Sequence, residues 1–195
     1  MNGNDATAFN LTQHTPKSVI NVAILGAEST GKTTLCRDLA THFGSLWVPE
    51  HMRTYLQNKW NIERKTCTWD DLLPIAQGQI ELEHKLALQA EQTGSYLFCD
   101  TSLFELMVYA NWYYGDCPDA ITQAALAHHY DLILLTEVDI PWVADDLRDS
   151  PHEREEISAR FANELTRHDK QFRYVGGNRD DRVLQVVESL NKINK

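Results

Sequence analysis

The sequence predicts a three-layer α/β fold built on a five-stranded parallel sheet. Three observations point to it. Short apolar runs alternate with longer, helix-patterned segments from Val19 to the end of the chain. One of those runs, Leu132-Ile133-Leu134-Leu135, is apolar without alternation, as expected of a strand covered on both faces. A glycine-containing segment, Gly26-Ala27-Glu28-Ser29-Thr30-Gly31-Lys32-Thr33, joins the first run to the first helical pattern and fits G-x-x-x-x-G-K-[ST] at every fixed position.

Residues 1–17, rich in Asn, Thr and Gln, read as a flexible tail, and 18–195 as one domain. The first strand spans about Val19 to Leu25, and its helix runs from Gly31 to Phe43, with Gly44 as the stop. Leu46-Trp47-Val48 is a short second strand. Glu50 to Arg53 opens a short helix to about Lys59, and 61–68 is a polar loop. Thr68, with Asp71 three residues on, marks the start of a long helix to Gln92. Pro74 falls early in it and counts against the assignment of the first turn. Tyr96 to Cys99 is the third strand, with Asp100 at its C-terminal edge, and a helix from Leu103 to Tyr113 follows. Ala120 to His129 is helical, and Leu132 to Leu135 is the fourth strand. A charged loop, Pro141 to Pro151, leads to a helix over Glu153 to His168. Phe172 to Val175 is the fifth strand, and Asp181 to Asn191 the last helix.

At 195 residues, 43% hydrophobic and 24% charged, the chain suits a single soluble domain. Its net charge of −10 argues against nucleic acid as a partner, since no basic excess is available to neutralise a phosphate backbone. The segment from Met1 to Ser18 is polar and no run is long enough to span a bilayer, so a cytoplasmic protein with no membrane partner is expected. Cys36, Cys67, Cys99 and Cys117 fit no zinc spacing, and Cys36 and Cys99 read as small core residues.

The chemistry begins at the loop after the first strand. The strand–loop–helix context makes Gly26, Glu28, Ser29, Thr30, Gly31, Lys32, Thr33 and Thr34 a nucleotide-binding segment of the Walker A kind, with ATP and Mg²⁺ as the cofactors. Lys32 is placed to reach the β/γ-phosphates and Thr33 to ligate the metal. Ligands of parallel sheets sit at the C-terminal strand ends, and Asp100 ends a strand there. Asp100 can organise Mg²⁺ or accept the proton of an attacking hydroxyl; the alternative is a helix N-cap. Glu50 and Arg53 share a helix face after the second strand and suit a polar substrate, the alternative being a surface ion pair. Arg148 and Arg154 flank Asp149-Ser150-Pro151-His152-Glu153 and suit charge neutralisation during transfer, or else are solvated. Trp47, Trp112, Tyr113 and Trp142 are candidates to stack on a base, Trp142 being the least core-like. The string Asn191-Lys192-Ile193-Asn194 departs from a guanine-reading motif and is discounted.

The loop Gly26–Thr33, the Glu50-x-x-Arg53 pair, the Asp100-Thr101 strand end and Trp142-Val143-Ala144-Asp145-Asp146-Leu147-Arg148 recur in this order in one family. Over about 19–193 the chain resembles the ribosylnicotinamide kinase domain of the bacterial NadR proteins. The resemblance implies a P-loop NTPase fold, nucleoside-kinase-like with a lid, and ATP-dependent phosphorylation of the ribose 5′-hydroxyl of nicotinamide riboside. It implies that Lys32 and Thr33 bind phosphate and Mg²⁺, and that Asp100 is the base and a ribose-binding carboxylate. Glu50 and Arg53 would then line the nucleoside pocket, and Arg148 would belong to the lid. Pro49 stands where the family has an aromatic residue, and Asp146 where it usually has Gly. The adenylyltransferase and DNA-binding functions of NadR proteins are not expected here, because only a short tail precedes the first strand.

The expected function is therefore a small-molecule kinase with nicotinamide riboside as acceptor. A kinase of another nucleoside or nucleotide is the alternative, with Glu50 as base as in deoxynucleoside kinases. A regulatory P-loop ATPase acting on a protein partner is the reading from a different class.

Overall fold

The computed structural model describes residues 9–93, 96–143 and 152–193. Its five parallel strands are β1 (Ile20–Leu25), β2 (Leu46–Val48), β3 (Tyr96–Asp100), β4 (Leu132–Thr136) and β5 (Arg173–Val175), in the order β2-β3-β1-β4-β5. Ile24 of β1 lies opposite Asp100 of β3 and Leu134 of β4, so three strands end at nearly the same level. The helices are α1 (Lys32–Phe43), α2 (His51–Glu63), α3 (Leu72–Thr93), α4 (Leu103–Tyr114), α5 (Asp119–Ala127), α6 (Arg154–Arg167) and α7 (Arg179–Ile193).

The period-two geometry of β1 builds the layers. Ala23 and Leu25 join Ile133 and Leu135 in a core covered by α3, α4, α5 and α6. Val22 and Ile24 join Phe98 and Leu134 on the other face, under α1 and α7. Val48, Leu97 and Cys99 pack on Ala87 and Ala90 of α3 at the β2 edge. Every residue of β4 is buried, as its unbroken apolar run requires.

Several boundaries move for identifiable reasons. The Thr68–Asp71 capping box forms, but around a single 3₁₀ turn, Trp69–Asp71, so α3 starts at Leu72 and Pro74 sits in its first turn. α2 continues to Glu63, where Arg64 turns left-handed and donates its N–H to Trp60 O. α7 begins at Arg179 because Asn178 Oδ1 accepts from the N–H groups of Asp180 and Asp181. Ser102 caps α4 by accepting the Phe104 N–H at 3.2 Å, which leaves Asp100 outside the capping role.

The described part of the N-terminal segment is docked, not the flexible lead-in its composition suggests. Leu11 is buried in the larger core, and its carbonyl lies 2.7 Å from His128 Nε2. The His129 N–H donates to Gln13 Oε1 and the His14 N–H to His84 Nε2, at 2.8 and 3.0 Å. One apolar side chain amid polar neighbours was enough to fasten it. Among the described residues, no helix is long and apolar enough to cross a membrane.

Candidate active site

The loop between β1 and α1 is held by its carbonyls. Leu25 O accepts from Thr136 Oγ1 at 3.1 Å, and Gly26 O from Lys32 Nζ at 2.7 Å. Ala27 O accepts from Thr30 Oγ1 at 2.7 Å and from Lys32 Nζ at 3.1 Å. Ser29 O accepts from Arg154 at 3.2 Å, Thr30 O from Arg182 at 2.6 Å, and Gly31 O from the Leu35 N–H at 3.0 Å. The first N–H groups of α1 have no helix carbonyl to donate to, which suits them to an anion. Glycine is required at two points. Gly26 has φ +145°, and a Cβ there would stand 2.2 Å from Thr136 Oγ1. Gly31 has φ +86°, and its Cβ would meet Ile140 Cδ1 at 2.8 Å.

Lys32 is buried, and its ammonium also pairs with Glu105 Oε1 at 3.2 Å. Burial works to lower its pKa, but Glu105, Glu50 and Asp100 outweigh it, and the ammonium titrates above its ordinary value. Glu105 Oε2 accepts the Gly26 N–H at 3.2 Å. Burial drives the Glu105 carboxyl up to about 7, helped by Glu50 and Asp100 and opposed by Lys32.

Asp100 sits beneath the loop, 1% exposed, where the chain turns through a left-handed Thr101 at φ 80°. Its Oδ2 accepts from Thr33 Oγ1 at 2.5 Å. Its Oδ1 is buried with no hydrogen-bond partner among the described residues. Burial raises its pKa against Lys32, Thr33 and Arg37, which favour the anion. A hydroxyl and a carboxylate in contact, with one carboxylate oxygen unpaired, suit a hard divalent cation such as Mg²⁺.

A cleft of ≈ 870 Å³ opens from this point. At one end are the loop residues from Glu28 to Thr34, with Arg179 and Arg182 of α7. Also lining it are Glu50, the N-cap of α2, and Met52, Arg53 and Leu56 of α2. Along its side run Glu105, Tyr109 and Tyr113, one face of α4 at four-residue spacing. Tyr109 and Tyr113 stack at 6.0 Å and 13°, and the buried Tyr109 hydroxyl has no hydrogen-bond partner among the described residues.

A family model described as an AAA domain matches residues 21–182. The chain belongs to this AAA-domain family. The resemblance to NadR drawn from its motifs also holds: it is homologous to the trifunctional NAD biosynthesis/regulator protein NadR of Escherichia coli K12. The two are 28% identical over 185 residues, 93% of this chain and 44% of that protein. The chain thus spans less than half the length of the curated relatives it matches. A structure of NadR in complex with NR superposes with a TM-score of 0.75 at 21% identity, over 90% of this chain and 51% of that one. NadR in complex with NAD and AMP-PNP gives 0.73 at 20% identity, over 90% and 49%. Deoxyadenosine kinase from M. mycoides gives 0.59 at 13% identity, over 88% and 99%. The fold is therefore that of the P-loop nucleoside and nucleotide kinases.

Within this AAA-domain member, the expected residues divide. Glu28, Ser29, Thr30, Gly31, Lys32, Thr33, Thr34, Glu50 and Arg53 line one cleft. Gly26 lies behind it, contacting Thr136 and Glu105. Arg154 grips the outside of the loop at Ser29 O and Ile140 O. Trp142 lies over the Arg154 guanidinium at 5.9 Å, and the Val143 N–H donates to Ser29 Oγ at 3.0 Å. Arg148 and the rest of 144–151, the expected lid, lie outside the described residues. Trp47 stacks under Arg37, away from the cleft. Glu105, Tyr109, Tyr114, Arg179 and Arg182 were not anticipated. A lone acid in the apolar run Leu103-Phe104-Glu105-Leu106-Met107 was the available signal for Glu105.

Proposed function

We propose that the chain is an ATP-dependent kinase of a small nucleoside, with the 5′-hydroxyl of nicotinamide riboside as acceptor and nicotinamide mononucleotide as product. The continuity of the cleft carries this reading. One space is lined by an anion-binding loop and also by a carboxylate, an arginine and stacked tyrosines. A triphosphate and a planar, hydroxyl-bearing molecule can meet in it. The homology to NadR, and the NR and AMP-PNP bound in NadR structures, support the same reading.

The loop N–H groups and Lys32 bind the β- and γ-phosphates and neutralise charge as the phosphoryl group moves. Thr33 and Asp100 would hold Mg²⁺, which supplies further neutralisation of the phosphate oxygens when bound. Arg53 and the tyrosines orient the acceptor. Two carboxylates compete for the proton of the acceptor hydroxyl. Asp100 is buried against Thr33, whereas Glu50 is half-buried and lines the open cleft. Geometry thus favours Glu50 as proton acceptor and Asp100 as metal organiser. The same placement, together with Pro49 beside it, supports a second reading in which another nucleoside is the acceptor.

The test is phosphoryl transfer from Mg·ATP to a panel of nucleosides, read by ADP release and product mass. Nicotinamide riboside is expected to be turned over faster than the others. A different preferred nucleoside reassigns the acceptor. Hydrolysis stimulated by a protein, with no acceptor phosphorylated anywhere in the panel, overturns the kinase reading.

A further inference from the structure

Lys32 is fully engaged within the protein. Its ammonium donates to Gly26 O and Ala27 O and pairs with Glu105 Oε1, a full set of three partners. Glu105 is anchored in turn, since its other oxygen accepts the Gly26 N–H. The carboxylate is 2% exposed, and it lines the cleft between the phosphate loop and the acceptor end. Its titratable surroundings are mostly acidic. Glu50 faces it from the end of β2, Asp100 from the end of β3, Cys36 from α1 and Tyr109 from the next turn of α4. Glu28 of the loop and Arg53 of α2 line the same cleft. Lys32 is in ion-pair contact with it.

A triphosphate in the loop must draw Lys32 Nζ onto its own oxygens. That movement would leave a buried carboxylate without its counter-charge, beside an arriving polyanion. A buried anion in that position takes a proton in preference to remaining ionised.

We infer that Glu105 is a positioning residue that holds Lys32 beside the phosphate loop, and that a nucleoside triphosphate takes the lysine over while Glu105 gains a proton from solvent. The step balances: one carboxylate becomes one carboxylic acid, one proton enters the protein per nucleotide bound, and no covalent bond of the nucleotide changes. It rests on the reading of the loop as a nucleotide site. The carboxyl is already held up to about 7 with Lys32 beside it. Most of the uptake is therefore visible at pH 8, where the free protein has lost this proton, and little at pH 6, where it has kept it.

The experiment is calorimetric titration of the whole chain with Mg·ATP, without acceptor, in two buffers of different ionisation enthalpy. At pH 8 the binding enthalpy is expected to differ between Tris and HEPES by the amount that corresponds to nearly one proton taken up. The difference should shrink several-fold at pH 6, measured in a second buffer pair. Glu105→Gln should still bind Mg·ATP and lose the buffer dependence at pH 8. Should that variant not fold, Glu105→Ala serves for the same comparison. Equal enthalpies in both buffers for the wild type at pH 8, or wild-type uptake retained in the variant, overturn the inference while leaving the nucleotide site intact. Absence of binding in either buffer overturns the nucleotide reading itself, and this inference with it.

Discussion

Glu83 provides a test of the fold that is independent of activity. It lies on α3, 2% exposed, and the Tyr130 hydroxyl is 3.2 and 3.1 Å from its two oxygens. Burial lifts its carboxyl from 4.5 to about 7, against the stabilising contact of Tyr130. The folded state therefore keeps this proton to higher pH than the unfolded state does. Below 4.5 both states hold it and nothing is lost. As pH rises through that value the unfolded chain ionises first, and stability falls until the folded carboxyl also ionises near 7. At about 1.4 kcal/mol per pH unit, the full loss is roughly 3 kcal/mol, with about 2 kcal/mol of it between pH 5 and pH 8. Glu105 contributes in the same direction, so the comparison must be differential. Urea unfolding of the wild type and Glu83→Gln at pH 5 and pH 8 isolates the term. The wild type should lose about 2 kcal/mol more than the variant over that interval. Parallel losses in the two proteins would refute the reasoning.

Other outcomes follow from the site. Lys32→Ala should abolish phosphoryl transfer, lowering turnover by at least about 10²-fold, the cost of one preorganised donor at developing charge. Asp100→Asn should impair turnover far more than ATP affinity, checked by initial rates beside equilibrium binding; undiminished turnover would remove Asp100 from the mechanism. Gly26→Ala places a methyl group against Thr136 at a φ of +145° and should cost about 2 kcal/mol or more of stability, read by urea unfolding, together with nucleotide binding. Arg182→Met removes the guanidinium that joins Thr30 O, Gly177 O and Asp139. It should raise the KM for ATP although Arg182 belongs to the last helix; an unchanged KM would show that the loop holds its shape without it.

The sheet was legible because each strand is a contiguous apolar run and because the loop motif fixes which strand comes first. All five strands fall where the runs place them, and the phosphate loop, Glu50 and Arg53 do meet in one cleft. What was not legible depends on distant partners. Glu105 and Lys32 are far apart in sequence, and only the turn at Thr101 brings α4 under the loop. Arg182 reads as one more exposed charge on a terminal helix until β5 carries it back to Thr30. Arg154 sits among glutamates and suggested solvated charge or a lid, whereas it is buried against Ser29 O and Ile140 O. The docking of 9–17 was missed because composition averages over Leu11, the residue that anchors it.

A chain of net charge −10 must still attract a polyanion if this site is a kinase site, and the geometry shows how. Net charge sets the far field, but binding is decided by groups within a few ångströms and screened beyond about 10 Å. Lys32, Arg179 and Arg182 converge on the loop end of the cleft, together with backbone N–H groups whose carbonyls are held on the other side. The nearby acids have assigned work. Asp38 pairs with Arg179, Asp139 with Arg182, Glu105 with Lys32, and Asp100 contacts Thr33 where a cation would neutralise it. Arg154 and Arg182 fix the loop carbonyls of Ser29 and Thr30. Lys32 differs, because its ion-pair partner Glu105 holds the side chain that a phosphate would need. The loop is thus preorganised in its backbone and not in its lysine, which on the inference above passes from carboxylate to phosphate when a nucleotide binds.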